Sequence, residues 1–351
     1  MRDAPDPLSY FRMLEDQPFN FDFFQALRRI ECLYPNKPRL GKGLRPIDEP
    51  VRLAQEPSMA FAPSTLSSCS IPEGDKPGRI EARFFGFLGP NGPLPLHLTE
   101  HARARLLNAG DPTFARFLDM FNHRFMLFFY RAWAQARPTV SLDRPDDDRF
   151  AVYIGALEGI AGAKLRQRDD IGDFAKLYFA GLLGRQVRNR DGLVALLTSY
   201  FRVPVRVEEF VGHWMNLPPR EQTRLCAGDP SAQLGRGTVL GARVWDRQHK
   251  FRIWLGPLTL SQYESFLPGG KAMGRLVAWA RQYFCFEFEW DVRLVLARTE
   301  VPKLHLGQFG RLGWTTWLGA RPAATDAEDL TLDAERLVSR QFEVAESGHI
   351  R

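Results

Sequence analysis

The hydrophobic positions of this chain follow two periods, one helical and one alternating. In "FNFDFFQALRRIECLYP", Phe23, Phe24, Leu27 and Ile30 recur at helical spacing, with Asn20 or Asp22 placed as cap and Pro35 past the end. "VRLAQEPSMAFAP" and "RIEARFFGFLGP" alternate or run apolar over a few residues and predict strands. Thr99 reads as a helix start, and Asp111 with Pro112 opens a long helix that runs to about Arg137, before Pro138. From residue 191, "DGLVALLTSYFRVP" predicts a helix closed by Pro204. "VRVEEFVGHWMNLP" and "RVWDRQHKFRIWLGP" predict strands. Ser261 with Glu264 forms a capping-box pattern, followed by the helix "KAMGRLVAWARQYF" and the strand-like "FCFEFEWDVRLVLA".

The order helix, strand, strand, Leu-Gly-Pro loop, helix thus occurs twice. Phe84, Phe87, Leu88, Gly89 and Pro90 match Phe251, Trp254, Leu255, Gly256 and Pro257. Leu96, Leu98 and Thr99 match Leu258, Leu260 and Ser261 once "NGPLP" is taken as an insertion. The pattern predicts an α+β fold of two related halves. Residues 1–149 hold the first loop and the Phe-rich helix, and a helical, Arg-rich connection covers 150–190. Residues 191–320 hold the second loop, and 321–351 read as a polar, flexible tail with one short helix near Asp333–Arg340. Prolines fix φ and glycines permit tight turns, so "GFLGPNGPLPLHLTEH" is expected to keep a defined shape. With Leu88, Leu94, Leu96 and Leu98 and almost no charge, it reads as an exposed apolar patch that marks an interaction site.

Composition narrows the class. The chain has 351 residues, 44% of them hydrophobic and 25% charged, which fits a globular protein of two domains. Cys32, Cys69, Cys226 and Cys285 are scattered without a CxxC pair, which points to a reducing compartment. The N-terminus lacks the apolar run of a signal peptide, and "FMLFFY" stops at Arg131, far short of a membrane span. A cytoplasmic location is expected. The net charge of +6 suits nucleic acid or an anionic surface, yet its arginines suit protein interfaces equally well.

Catalytic motifs are sparse. His97, Glu100 and His101 match the H-x-x-E-H zinc-peptidase signature, but Thr99 as N-cap leaves His97 outside the helix, and the second copy has no histidines there. "PGGKAMG" lacks the Walker A glycine and Ser/Thr. Asp143, Asp146, Asp147 and Asp148 read as a loop capping the helix at Phe150 rather than as a cation site. Arg166, Arg168, Arg185, Arg188 and Arg190 carry interspersed acids and no aromatic platform, so they read as a solvated or partner-facing surface. No metal, cofactor or enzymatic activity is expected. The alternatives are a zinc peptidase built on "HLTEH" and a basic nucleic-acid-binding protein.

The aromatic pattern is more informative. Phe114, Phe117, Phe121, Phe125, Phe128 and Trp133 lie along the long helix, and Phe129 and Tyr130 widen its apolar face beyond what one core requires. Together with "VRLAQEPSMAFAPS", "FFGFLGPNGPLPLHLTEH", "GARVWDRQHKFRIWLGPLTLSQYESFLPGG" and "LGWTTWLG", the sequence resembles the TssG family (ImpH/VasB), from about residue 17 to 319. The resemblance implies a cytoplasmic, non-enzymatic subunit of the type VI secretion baseplate wedge. Such a subunit binds two TssF copies and two TssK trimers, is accompanied by TssE, and is linked indirectly to the spike or hub and to the inner-membrane complex. It implies neither nucleic-acid binding nor membrane insertion. On this reading Leu88, Leu94, Leu96, Leu98, Leu255, Leu258, Leu260 and Phe266 are expected to contact TssK. Phe24, Leu27, Phe117, Phe121, Phe125 and Phe128 are the expected TssF contacts.

Overall fold

Helices alternate with mixed sheets in the computed structural model, which describes residues 6–74, 76–224, 233, 235, 238–303, 310–317 and 325–339. The fold class is α+β. The chain divides into two units, Met1–Ala151 and Val152–Arg351.

In the first unit, α1 (Pro7–Asp16) and α2 (Phe23–Leu33) each start on an aspartate. Asp6 accepts from the Leu8 amide, and Asp22 accepts from the amides of Phe24 and Gln25, satisfying donors that a helix start leaves open. Strands β1 (Val51–Gln55), β2 (Leu66–Ser70) and β3 (Gly78–Ala82) form a sheet in the order β1–β3–β2. β1 runs parallel to β3, and β2 antiparallel. Then come α3 (Leu96–Ala109), α4 (Thr113–Gln135) and the short α5 (Pro138–Leu142), and α6 (Arg149–Glu158) crosses the unit boundary. Phe11, Leu14, Phe23, Ile30, Leu53, Ile80, Met126 and Leu127 close the core between helices and sheet.

β1 is an edge strand, and α4 covers its open side with polar side chains. Asp119 accepts a hydrogen bond from the Gln55 amide at 2.9 Å, and His123 Nδ1 accepts from the Leu53 amide at 3.1 Å. A ring that accepts there must be neutral at that nitrogen. Burial, and then the charges of Arg52 and Arg124, push the His123 pKa down to about 4. The aspartates after α5 are absorbed into structure. Asp143 binds Arg28 at 2.5 Å, Asp147 binds Lys42 at 2.8 Å and Arg39 at 3.0 Å, and Asp148 accepts from the Ala151 amide at 3.0 Å.

The second unit opens with α7 (Asp173–Tyr178) and α8 (Ala180–Leu183), whose Phe179 and Leu183 join the unit's core with Ile171. α9 (Arg190–Phe201) is capped by Asn189, whose Oδ1 accepts from the Gly192 amide at 2.7 Å. A Cβ on Gly192 would lie 2.4 Å from the Tyr283 hydroxyl, so the cap requires glycine there. β4 (Val205–Glu208) is followed by a two-stranded ribbon, β5 (His213–Asn216) with β6 (Arg243–Asp246). β7 (Lys250–Leu258), α10 (Leu260–Ser265), α11 (Lys271–Phe284) and β8 (Glu289–Leu296) form a β-α-α-β crossover, with β7 and β8 parallel. β9 (Ala327–Leu332) completes a sheet of order β4–β7–β8–β9. Ile253, Leu255, Leu258, Leu276, Trp279, Val292 and Leu294 are fully buried in its core.

Several local expectations change. α3 begins at Leu96, and Thr99 lies inside it, fully buried, accepting a hydrogen bond from the Gly89 amide at 3.0 Å. α10 is capped by Thr259 with Gln262 as its reciprocal partner, two residues before the expected Ser261. Asp111 still receives the Thr113 amide at 3.0 Å, although α4 starts at Thr113. Residues 325–339, expected as part of a polar tail, hold the short helix expected near Asp333, at 334–339, but also β9, with Ala327, Leu332, Ala334 and Val338 buried. Their apolar positions are few but fall where β8 and the core can cover them. Cys226 and residues 340–351 lie outside the described residues.

Candidate interaction surfaces

The first Leu-Gly-Pro stretch is a loop, held by one side chain. The buried Gln55 amide donates from Nε2 to the Leu88 carbonyl (2.6 Å) and accepts the Leu88 amide at Oε1 (2.9 Å). Gly86 has a φ of +146°, and a Cβ there would stand 2.1 Å from Gln55 Oε1. Leu94 N–H closes the turn on the Phe87 carbonyl at 3.2 Å. Leu88 is therefore 3% exposed and packs with Ala102 and Leu118, instead of standing outward as expected. Leu94 and Leu98 are half-buried, and Leu96 is 50% exposed.

The second Leu-Gly-Pro stretch is not a loop. Leu255, Gly256 and Pro257 lie within β7, where the register against β8 shifts between Leu255 and Leu258. A Cβ on Gly256 would lie 2.3 Å from the Val295 carbonyl, so glycine lets the two backbones pass. Leu255 and Leu258 are fully buried and Phe266 is 2% exposed, all in the core of the second unit. They are core residues and not an outward plug. A parallel central strand covered by helices needs a continuous apolar run, the same pattern that marks a greasy loop. Leu260 is half-buried against that core.

An outward apolar surface lies on α4. Leu118, Asn122, Met126 and Tyr130 face inward. Phe117, Phe121, Phe125 and Phe128, four, four and three residues apart, form the opposite stripe and are 44–55% exposed. From Phe117 to Phe128 the stripe is about 16 Å long at 1.5 Å per residue. Met120, 70% exposed, widens it. Phe87 meets Phe125 at 6.1 Å between ring centroids, which joins the loop to the stripe. Phe129 stacks on Phe85 (5.4 Å), while Phe24 stacks on Trp133 (4.9 Å) and is only partly exposed. Leu27 is fully buried beneath α4, so its expected outward contact does not hold: it points from α2 into the core. The sequence reading did not single out Met120, or give Phe84, Phe85 and Phe87 a role at this surface, although "RFFGF" carries the signal.

Charge frames the stripe. Arg124 and Arg131 lie 4.6 and 5.9 Å from the Phe128 ring, and Arg137 lies 5.6 Å from that of Trp133. The one carboxylate of α4, Asp119, is buried and bound to Arg79 at 2.5 Å. The exposed face of this helix therefore presents aromatic rings among cations.

The H-x-x-E-H motif differs from expectation in one respect. His97 and His101 both lie on α3, one turn apart, because the helix starts earlier than Thr99. His101 packs edge-on to Phe114 at 6.1 Å. Among the described residues no three His, Cys, Asp or Glu side chains converge as metal ligands. Among them, too, no helix is long and apolar enough to cross a membrane.

An α+β chain with such an aromatic face has the features of an assembly component. Its sequence matches the family described as "Type VI secretion, TssG" over residues 17–319. The chain belongs to the TssG family of type VI secretion proteins. In fold it is similar to a chain of the solved baseplate complex from the type VI secretion system, at 23% identity, with a TM-score of 0.63 and 90% of each chain covered. A chain of the TssK–TssF–TssG baseplate subcomplex, seen by cryo-electron microscopy, is similar at 19% identity and a TM-score of 0.47, over 62% of this chain and 90% of that one. No curated protein matches.

Proposed function

We propose that this protein is an architectural, non-enzymatic subunit of the type VI secretion baseplate wedge, joining TssF to TssK on the cytoplasmic side of the inner membrane. The observation that carries the reading is the exposed stripe Phe117–Phe121–Phe125–Phe128, on a helix whose other face already serves a complete core. These rings are already about half buried, so covering the rest of each contributes roughly 0.7–1.5 kcal/mol, and large exposed apolar patches mark interaction sites. This stripe is assigned to TssF, with Phe24 at its margin.

TssK is assigned to the first loop and the start of α3, through Leu96 with the half-buried Leu94 and Leu98, and to Leu260 in the second unit. Pinning by Gln55 lowers the ordering cost of binding at the first loop. Two TssF copies, two TssK trimers and TssE complete the proposed wedge. Co-purification tests it. Leu96→Asp, alone and with Leu94→Asp, should reduce captured TssK and leave TssF at its wild-type ratio. Undiminished TssK on both variants would remove the loop from the account.

A further inference from the structure

A cleft in the second unit, of about 270 Å³, has no part in these assignments. It opens between the start of α9, the end of β4, the start of β7 and the end of α11. Its floor is apolar, made by Leu193, Val207, Phe251, Phe284 and Phe288. Phe251 meets Phe284 edge-on at 4.8 Å and Phe288 at 6.4 Å, so the floor is a preformed aromatic box.

The mouth carries two further observations. Phe210, 62% exposed, has a φ of +58°, and its carbonyl is held by Arg247 Nε at 3.1 Å. A left-handed backbone at a bulky residue is strained, and residues held that way cluster at ligand clamps. Charge is divided across the opening. Among the described residues, Arg188 donates to the carbonyls of Leu182 and Leu183, at 2.8 and 2.6 Å, and lies 5.3 Å from the Tyr283 ring. Arg190 is exposed and has no carboxylate within ion-pair distance among the described residues. Lys250 shares Asp291 with Arg252, at 3.1 and 2.5 Å, Glu209 stands on the β4 side, and Asp191 does not line the cleft. Among the described residues, the α9 side of the mouth thus holds two guanidiniums without a carboxylate in ion-pair range.

We propose that this cleft is an anchor pocket for a partner polypeptide. It takes one aromatic side chain on its floor and a neighbouring carboxylate at Arg188 and Arg190. The lining favours this occupant, since an aromatic box beside two guanidiniums offers one place for a ring and one for a carboxylate. An aromatic anchor with a bidentate arginine contact is also how interface hot spots are built. The proposal stands apart from the TssF and TssK assignments.

The test uses the full chain and a fluorescein-labelled peptide of one phenylalanine between two pairs of aspartates, followed by anisotropy. Controls replace the aspartates by lysine, or the phenylalanine by alanine. The aspartate–phenylalanine peptide should bind at least about tenfold more tightly than either control and weaken with added salt. Gln248→Trp, which plugs the mouth from an exposed position, and Arg190→Glu, which reverses its charge, should each lower affinity about tenfold or more. Unchanged circular dichroism and Tm would show that both variants fold. No binding, equal binding of a control, or a loss in only one of the two variants would overturn the proposal.

Discussion

Single side chains decide where the backbone can go. Gln55 makes both of its bonds to one residue of the loop, so Gln55→Ala leaves the Leu88 amide and carbonyl unpaired in a buried place. A loss of about 2–4 kcal/mol is expected from two such groups. Urea unfolding would measure it, and cleavage of the 86–95 loop by a nonspecific protease should quicken in parallel. Glu158, at the end of α6, is a second case. Both of its carboxylate oxygens are buried without a hydrogen-bond partner, and burial, opposed by Lys176, raises its pKa from 4.5 to about 7. Between those values the folded chain holds a proton that the unfolded chain releases. This site's contribution therefore falls as pH rises through that window and levels off above it. Glu158→Gln should raise Tm by about 2–4 °C near pH 8, with a smaller gain near pH 5. An equal gain at both would show that the carboxylate is not the cause.

At the scale of elements, α4 is one helix with two jobs on opposite faces. Leu127→Ala on the inner face should cost about 2–5 kcal/mol by cavity formation. Phe121→Asp on the outer face should cost only about 1 kcal/mol, since about half of its ring is already exposed. Equilibrium unfolding of the two variants checks both. The outer stripe was legible in the sequence because Phe117, Phe121, Phe125 and Phe128 recur at helical spacing, but Tyr130, read as widening that face, is buried on the inner one. Of the two caps the sequence offered, Asn20 and Asp22, the helix uses Asp22 because its carboxylate reaches the Phe24 and Gln25 amides. The fate of the two Leu-Gly-Pro stretches was not. Identical tripeptides became a pinned loop and a bulged strand, since β8 lies beside one of them and Gln55 beneath the other. Their strand pairings also differ, β1 with β3 parallel but β4 with β7 antiparallel. β9 escaped notice because its strand adds only two buried residues, Ala327 and Leu332, to a sheet already built.

For the whole molecule, each unit has its own core, and among the described residues α4 of the first unit carries an exposed aromatic stripe framed by arginines. On the proposed reading, such a surface must be stable in water alone and more stable when covered. A partner surface that offers apolar side chains edged by carboxylates would complement it. The direct measurement is co-expression of this protein, carrying Phe121→Asp with Phe125→Asp, with TssF and TssK, followed by native mass spectrometry of the purified assembly. The expected result is a folded variant that keeps TssK and has lost TssF. A folded variant that still carries TssF at the wild-type ratio would contradict the assignment of this helix face.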